Sequence, residues 1–161
     1  MFRKLAILSA FFCLIAGTSV AQTNIDLGGM TVDTSAAIEV TADSLAIDQD
    51  SGTATFTGNV IIGQGDLRLT AGAVEVVYGA ETSEIAQLIA TGGVTFVTAT
   101  EAAEAQTADY DITTGLLTLT GDVLLTQGAS AIFAQSMIVN VTTGSASMEG
   151  RVRTVLQQGG N

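Results

Sequence analysis

Three pairs of carboxylates lie close enough along the chain to work together: Asp48 with Asp50, Asp109 with Asp111, and Glu101 with Glu104. Such pairs divide acid and base duties in hydrolysis or hold a hard cation. Their surroundings take neither chemistry further. Asp48-x-Asp50-x-Gly52 opens like a calcium loop, but the twelfth position is Asn59, where a bidentate glutamate is required. Asp and Gly at this spacing read better as a turn between strands. The chain has no His, its single Cys is Cys13 in the N-terminal apolar run, and no Lys follows Lys4. The usual general bases, thiol nucleophiles and nitrogen or sulfur metal ligands are therefore missing. The expectation is a protein that is not an enzyme, with no catalytic residues, no metal and no cofactor.

What must position these residues is a repeated sheet. Around Gly58 the residues Ala54, Phe56, Val60 and Ile62 alternate with polar neighbours, the period-2 signature of a half-buried strand. The pattern returns around Gly92 and Gly121 and more weakly around Gly150. A second marker, Ala-x-x-φ-x-φ with φ an apolar residue, begins at Ala42, Ala71, Ala105 and Ala134. Each marker glycine precedes the next marker alanine by 13 residues, and each alanine precedes the next glycine by 16, except in the second unit, where the interval is 21. The basic period is thus 29 residues, with a five-residue insertion placed in the turn 79–84. Periods of this size belong to stacked supersecondary units.

Predicted strands cover Ile38–Ile47, Thr53–Ile62, Leu67–Tyr78, Ile85–Ala90, Val94–Thr98, Ala108–Ile112, Leu116–Thr126, Ala131–Val141 and Ser145–Leu156. Residues 101–108 carry helix-favouring alanines and glutamates, but the repeat assigns them to strand positions, which outweigh propensity. Within each unit the apolar phase slips by one residue after the marker alanine: Val40 and Ala42 give way to Leu45 and Ile47, and Leu69 and Ala71 to Val74 and Val76. For all of them to face one interior, the strand must bulge or turn a corner at the slip. A repeated corner implies a curved sheet, a β-solenoid or an open jelly roll.

Residues 1–21 read as a cleaved secretory signal: Arg3 and Lys4, an apolar core, then Ser19-Val20-Ala21. Residues 22–37 are expected as a flexible N-terminal arm, 38–156 as the folded domain and 157–161 as a flexible tail. After cleavage three arginines stand against sixteen carboxylates, a net charge of −13. That charge excludes nucleic acid as an electrostatic partner.

The shared inward phase comprises Leu45, Ile47, Phe56, Val60, Ile62, Leu67, Leu69, Val74, Val76, Phe96, Leu117, Leu119, Val123, Leu125, Ile132, Met137 and Val139. Alternation alone leaves two readings of this set, a dry core or the lining of a ligand cavity.

The runs Ile38-Glu39-Val40-Thr41-Ala42-Asp43-Ser44-Leu45, Gly52-Thr53-Ala54-Thr55-Phe56-Thr57-Gly58-Asn59-Val60 and Gln64-Gly65-Asp66-Leu67-Arg68-Leu69-Thr70-Ala71 resemble, in this order, the OstA-like family of lipopolysaccharide transport proteins. Weaker echoes continue to about Leu156. The resemblance implies an all-β, open, twisted β-jelly roll of repeated antiparallel strands, solenoid-like in build. It further implies a periplasmic carrier that binds lipopolysaccharide through its lipid A acyl chains and bridges the two membranes. LptC-like inner-membrane and LptD-like outer-membrane jelly rolls are the implied partners, with head-to-tail homo-oligomers between them. On this reading the inward set lines an acyl-chain groove, and Arg68, Arg151 and Arg153 are the weak headgroup candidates. Two rivals remain open: a membrane-anchored, LptC-like relay of the same fold, which would keep the N-terminal apolar run, and a structural β-solenoid without ligand. The absence of Pro and Lys beyond the signal fits edge-to-edge assembly, since the usual blockers of strand edges are missing.

Overall fold

The structure, a computed structural model, describes residues 23–26, 33, 35–79 and 84–156. The expected signal, residues 80–83 of the expected insertion and the tail 157–161 lie outside the described residues. Every regular element described is a strand: β1 (Thr23–Asp26), β2 (Ile38–Thr41), β3 (Ser44–Asp48), β4 (Thr53–Gln64), β5 (Leu67–Tyr78), β6 (Ile85–Thr91), β7 (Val94–Val97), β8 (Glu101–Ala105), β9 (Thr107–Asp111), β10 (Leu116–Gln127), β11 (Ser130–Asn140), β12 (Ser145–Glu149) and β13 (Arg153–Val155). The alanine- and glutamate-rich stretch is β8 and β9, so cross-strand pairing overrides its helix propensity.

Four strands of 11 or 12 residues, β4, β5, β10 and β11, run through both halves of the molecule, and the shorter ones pair with one half or the other. One arm has the order β2-β4-β5-β7-β8-β10-β11-β13. The second has the order β3-β4-β5-β6-β9-β10-β11-β12-β1. All pairings are antiparallel.

The arms meet along a line of corners, and the corners are the marker glycines. Thr57 pairs with Ala73 and Val60 with Ala71, so Gly58 and Asn59 together oppose Gly72 alone. Likewise Thr120 pairs with Ser136 and Val123 with Ala134, leaving Gly121 and Asp122 opposite Gln135. Two residues against one is a β-bulge, which bends the ladder. Both residues of each pair are left-handed: φ is +83° and +47° at Gly58 and Asn59, and +86° and +47° at Gly121 and Asp122. Glycine is needed at the first position because a Cβ on Gly121 would stand 2.8 Å from the Gln106 side chain. Gly92-Gly93 and Gly150-Arg151 repeat the same conformation between β6 and β7 and between β12 and β13.

The bulge explains the phase slip read in the sequence. On the two-residue side, parity is kept, and Phe56, Val60 and Ile62 stay in step. On the one-residue side, the chain turns at a single residue, Asp43, Gly72, Gln106 or Gln135, and the inward set changes from odd to even or the reverse. Side chains also tie the corners across: Asn59 Nδ2 donates to Asp43 Oδ2 and Gln106 Nε2 to Asp122 Oδ2, both at 2.8 Å.

Turns at the end of the second arm share another device. Asp48, Asp111 and Asn140 each accept backbone N–H groups two or three residues on, and a left-handed glycine follows four residues later at Gly52, Gly115 and Gly144. Asx side chains that satisfy the turn's own amides close a tight connection without outside help.

One finding departs from the sequence reading. Within the segment expected as a loose arm, Thr23–Asp26 forms β1 and pairs with β12, from Thr23↔Met148 to Asp26↔Ser145. Four short residues in a polar context carry too little periodicity to announce a strand; the exposed edge of β12 selects it.

Candidate functional site

The inward side chains of both arms meet in one apolar interior. Val60, Ile62, Leu67, Leu69, Phe96, Val123 and Leu125 enter it from the first arm, and Val74, Val76, Leu117, Leu119, Met137 and Val139 from the second; all thirteen are buried. Phe56 and Ile132 are half-buried and pack against them. Leu45 and Ile47 do not join this group: they are 51% and 68% exposed. Both sit on β3, which pairs with β4 and is the outermost strand of its arm among the described residues. Both arms end one strand beyond β4, in β2 and β3, so among the described residues no strand lies over this end of the interior.

Between the arms lies a small cavity of about 20 Å³, lined by Ile38, Ile62, Gln64, Leu67, Leu69 and Phe96 on one side and Leu88, Ala90, Ala108, Tyr110, Leu117 and Val141 on the other. Ten of these twelve are apolar. The exceptions are Gln64, whose Nε2 donates to Ala36 O at 3.2 Å, and Tyr110, whose buried hydroxyl has no hydrogen-bond partner. Burial pushes the Tyr110 phenol above its usual pKa, because the phenolate loses its water. Alternation carried both residues inward: Gln64 continues the set Val60 and Ile62, and Tyr110 is the last apolar position of the Ala105 marker. A polar side chain at the end of an apolar run looks like the start of a turn, which is why Gln64 is missed.

The arms are joined along the corners, whereas across the interior they touch through side chains, and among the described residues no ladder hydrogen bond links them. Separating them locally costs apolar contact and leaves the backbone ladders whole.

The carboxylate pairs take up structural work. Asp48 accepts from the amides of Ser51 and Asp50, which holds its pKa below the ordinary carboxylate value. Asp109 accepts both bonds of the Gln87 amide, at 2.7 and 2.9 Å, while Asp111 caps its turn. Glu101 and Glu104 point to opposite faces of β8: Glu101 is buried, accepting from the Thr98 and Thr100 hydroxyls and the Gln127 amide, and Glu104 is exposed. Among the described residues no three His, Cys, Asp or Glu side chains come together as a metal would need.

Nor do the three arginines form a clamp. Arg68 turns its guanidinium onto the carbonyls of Gly65 and Leu67 beside it. Arg153 lies 4.2 Å over the Phe133 ring, a cation–π contact. In the first arm Arg68 on β5 is separated from Arg153 on β13 by four intervening strands, about 24 Å at ordinary strand spacing. Arg151 occupies the left-handed corner position at φ +48°.

Fold and interior together define the class: an open, twisted β-jelly roll built around one apolar interior. The chain belongs to the LptA/(LptD N-terminal domain) LPS transport protein family, whose sequence model matches residues 39–145. Its backbone is similar to the crystal structure of LptH from Pseudomonas aeruginosa, described as the LptA-homologous periplasmic component of the lipopolysaccharide transport device. The TM-score is 0.69 at 19% identity, covering 79% of this chain and 99% of LptH. No curated protein sequence matches significantly.

Proposed function

We propose that this chain is a non-enzymatic periplasmic carrier of lipopolysaccharide, holding acyl chains between the arms of the jelly roll and passing them along protomers or partner jelly rolls joined edge to edge. The observation that carries this reading is the apolar interior supplied by both arms, which among the described residues no strand-ladder hydrogen bond closes across. The cavity of about 20 Å³ has room for little more than one water molecule, so an acyl chain enters by parting the arms. Side-chain contacts given up in parting are replaced by contacts with the chain, each buried methylene contributing about 0.8 kcal/mol gross. Headgroups stay in solvent, since three dispersed arginines offer no clamp and exposed charges are screened beyond about 8 Å.

The edge-to-edge part draws on β3. Its Leu45 and Ile47 present exposed apolar side chains on a strand paired to β4 on one side and, among the described residues, to no strand on the other, the surface that a second copy, an LptC-like or an LptD-like jelly roll would extend by strand addition. An export signal at 1–21 supplies the route to the periplasm.

A photocrosslinking amino acid placed at Phe96 and Leu119, with outward controls at Thr55 and Thr118, tests the reading in cells whose lipopolysaccharide is followed by blot. Adducts at the inward pair alone are expected. Adducts at none of the four positions, from protein shown to be folded, would leave the interior a dry core and the chain a structural sheet.

A further inference from the structure

The cavity between the arms is lined by ten apolar side chains and two polar ones, and one of the two carries a hydroxyl with nothing to bond to. Tyr110 is 6% exposed, lines the cavity between the arms, and its hydroxyl has no hydrogen-bond partner. A buried polar group left in that condition costs free energy, and native cores seldom keep one without a use. Phenylalanine would fill the same space without that cost. Gln64, anchored through its Nε2 to Ala36 O, lines the same cavity from the other arm, so the site combines a phenol and a carboxamide within apolar walls.

We infer that Tyr110 and Gln64 form a polar reading point for a neutral oxygen carried on an acyl chain, a hydroxyl substituent in particular, so that the interior distinguishes hydroxylated from plain chains. This inference rests on the acyl-chain reading of the interior given above. A charged group does not fit: the walls are Leu, Ile, Phe, Ala and Val, and no cation lines the cavity to offset the loss of hydration. An ester or hydroxyl oxygen does. Of the two, a hydroxyl both donates and accepts, matching a phenol and a carboxamide at once, whereas an ester carbonyl accepts only. The cavity, at about 20 Å³, also meets the minimum for one water, which would serve the hydroxyl when no ligand is bound and leave when the chain oxygen arrives. Discrimination then follows the asymmetry of buried polar sites: a plain chain displaces the water and leaves the phenol unpaired, while a hydroxylated chain restores the bond.

The experiment compares tetradecanoic acid with 12-hydroxytetradecanoic acid, whose hydroxyl lies far enough from the carboxylate to enter the interior without it, binding each to the full mature chain and to its Tyr110→Phe variant by calorimetry, with thermal unfolding of both proteins as the control for folding. Expected for the natural chain is a preference of about three- to tenfold for the hydroxylated acid, the value of one net hydrogen bond. Tyr110→Phe should unfold no earlier than the natural chain, bind tetradecanoic acid at least as well, and lose the preference. Gln64→Leu, which keeps Tyr110, should reduce the preference without abolishing binding of the plain acid. Binding of both acids with equal affinity, or a preference that survives in Tyr110→Phe, would overturn the reading point while leaving the acyl-chain interior standing. Failure of the natural chain to bind either acid would overturn both.

Discussion

A carboxylate that starts a turn is worth most when it is charged. Asp48 accepts the Ser51 and Asp50 amides, and these bonds to its charged form lower its pKa in the folded chain. A depressed carboxylate contributes stability that is fully present above its unfolded pKa, about 3.9, and is lost as the pH falls through the folded value. Asp48→Asn keeps the acceptor oxygen and removes the charge. The expected outcome is a variant slightly less stable than the natural chain at neutral pH, the gap closing below pH ~4, read by urea titration across the acid range. The same device was legible in the sequence at Asp48-Gln49-Asp50-Ser51-Gly52, which spells a turn from its own residues, whereas Asn140 and Val141 read there as the end of a strand. Tyr110 was not legible as an unpaired donor. Its inward position follows from alternation, but whether a neighbour satisfies its hydroxyl depends on residues from another strand.

At the scale of the element, the corner is the unit that makes the fold, and it has a local code: glycine, then a residue able to take the left-handed region, opposite one residue on the next strand. Gly121 and Gly93 separate two costs of losing that code. Both have φ above +80°, but a Cβ on Gly121 meets Gln106 at 2.8 Å whereas one on Gly93 meets nothing within 4 Å. Gly93→Ala should cost about 1–2 kcal/mol, the left-handed penalty alone, and Gly121→Ala more, by the amount needed to displace Gln106. Equal losses in denaturant unfolding would show that Gln106 swings aside freely. The 29-residue period and the one-residue slip in apolar phase revealed these corners in the sequence, since a slip has only one physical meaning if both sets face the core. Exposure at Leu45 and Ile47 could not be read that way. Alternation tells which face of a strand a residue is on, not whether another strand lies over that face.

For the whole molecule, the question is which edges are available. β3 offers one, with apolar side chains exposed on it, and Ile47→Lys places there the charge that natural sheets use to block unwanted pairing. Because Ile47 is 68% exposed, the substitution should change the stability of a single protomer by no more than about 0.5 kcal/mol. It should nonetheless abolish the edge-to-edge growth proposed above, followed as mass against concentration by light scattering; growth equal in the natural chain and the variant would move the contact elsewhere. The opposite edge of the second arm is already occupied, by β1 on β12. That pairing joins nearly the first described residues to nearly the last, whereas every other ladder joins strands much closer together in the chain. Loop closure makes it the slowest contact to find. The edge that β1 covers is therefore the one held by the longest loop, and an incoming strand would have to compete with β1 for the same row of amides.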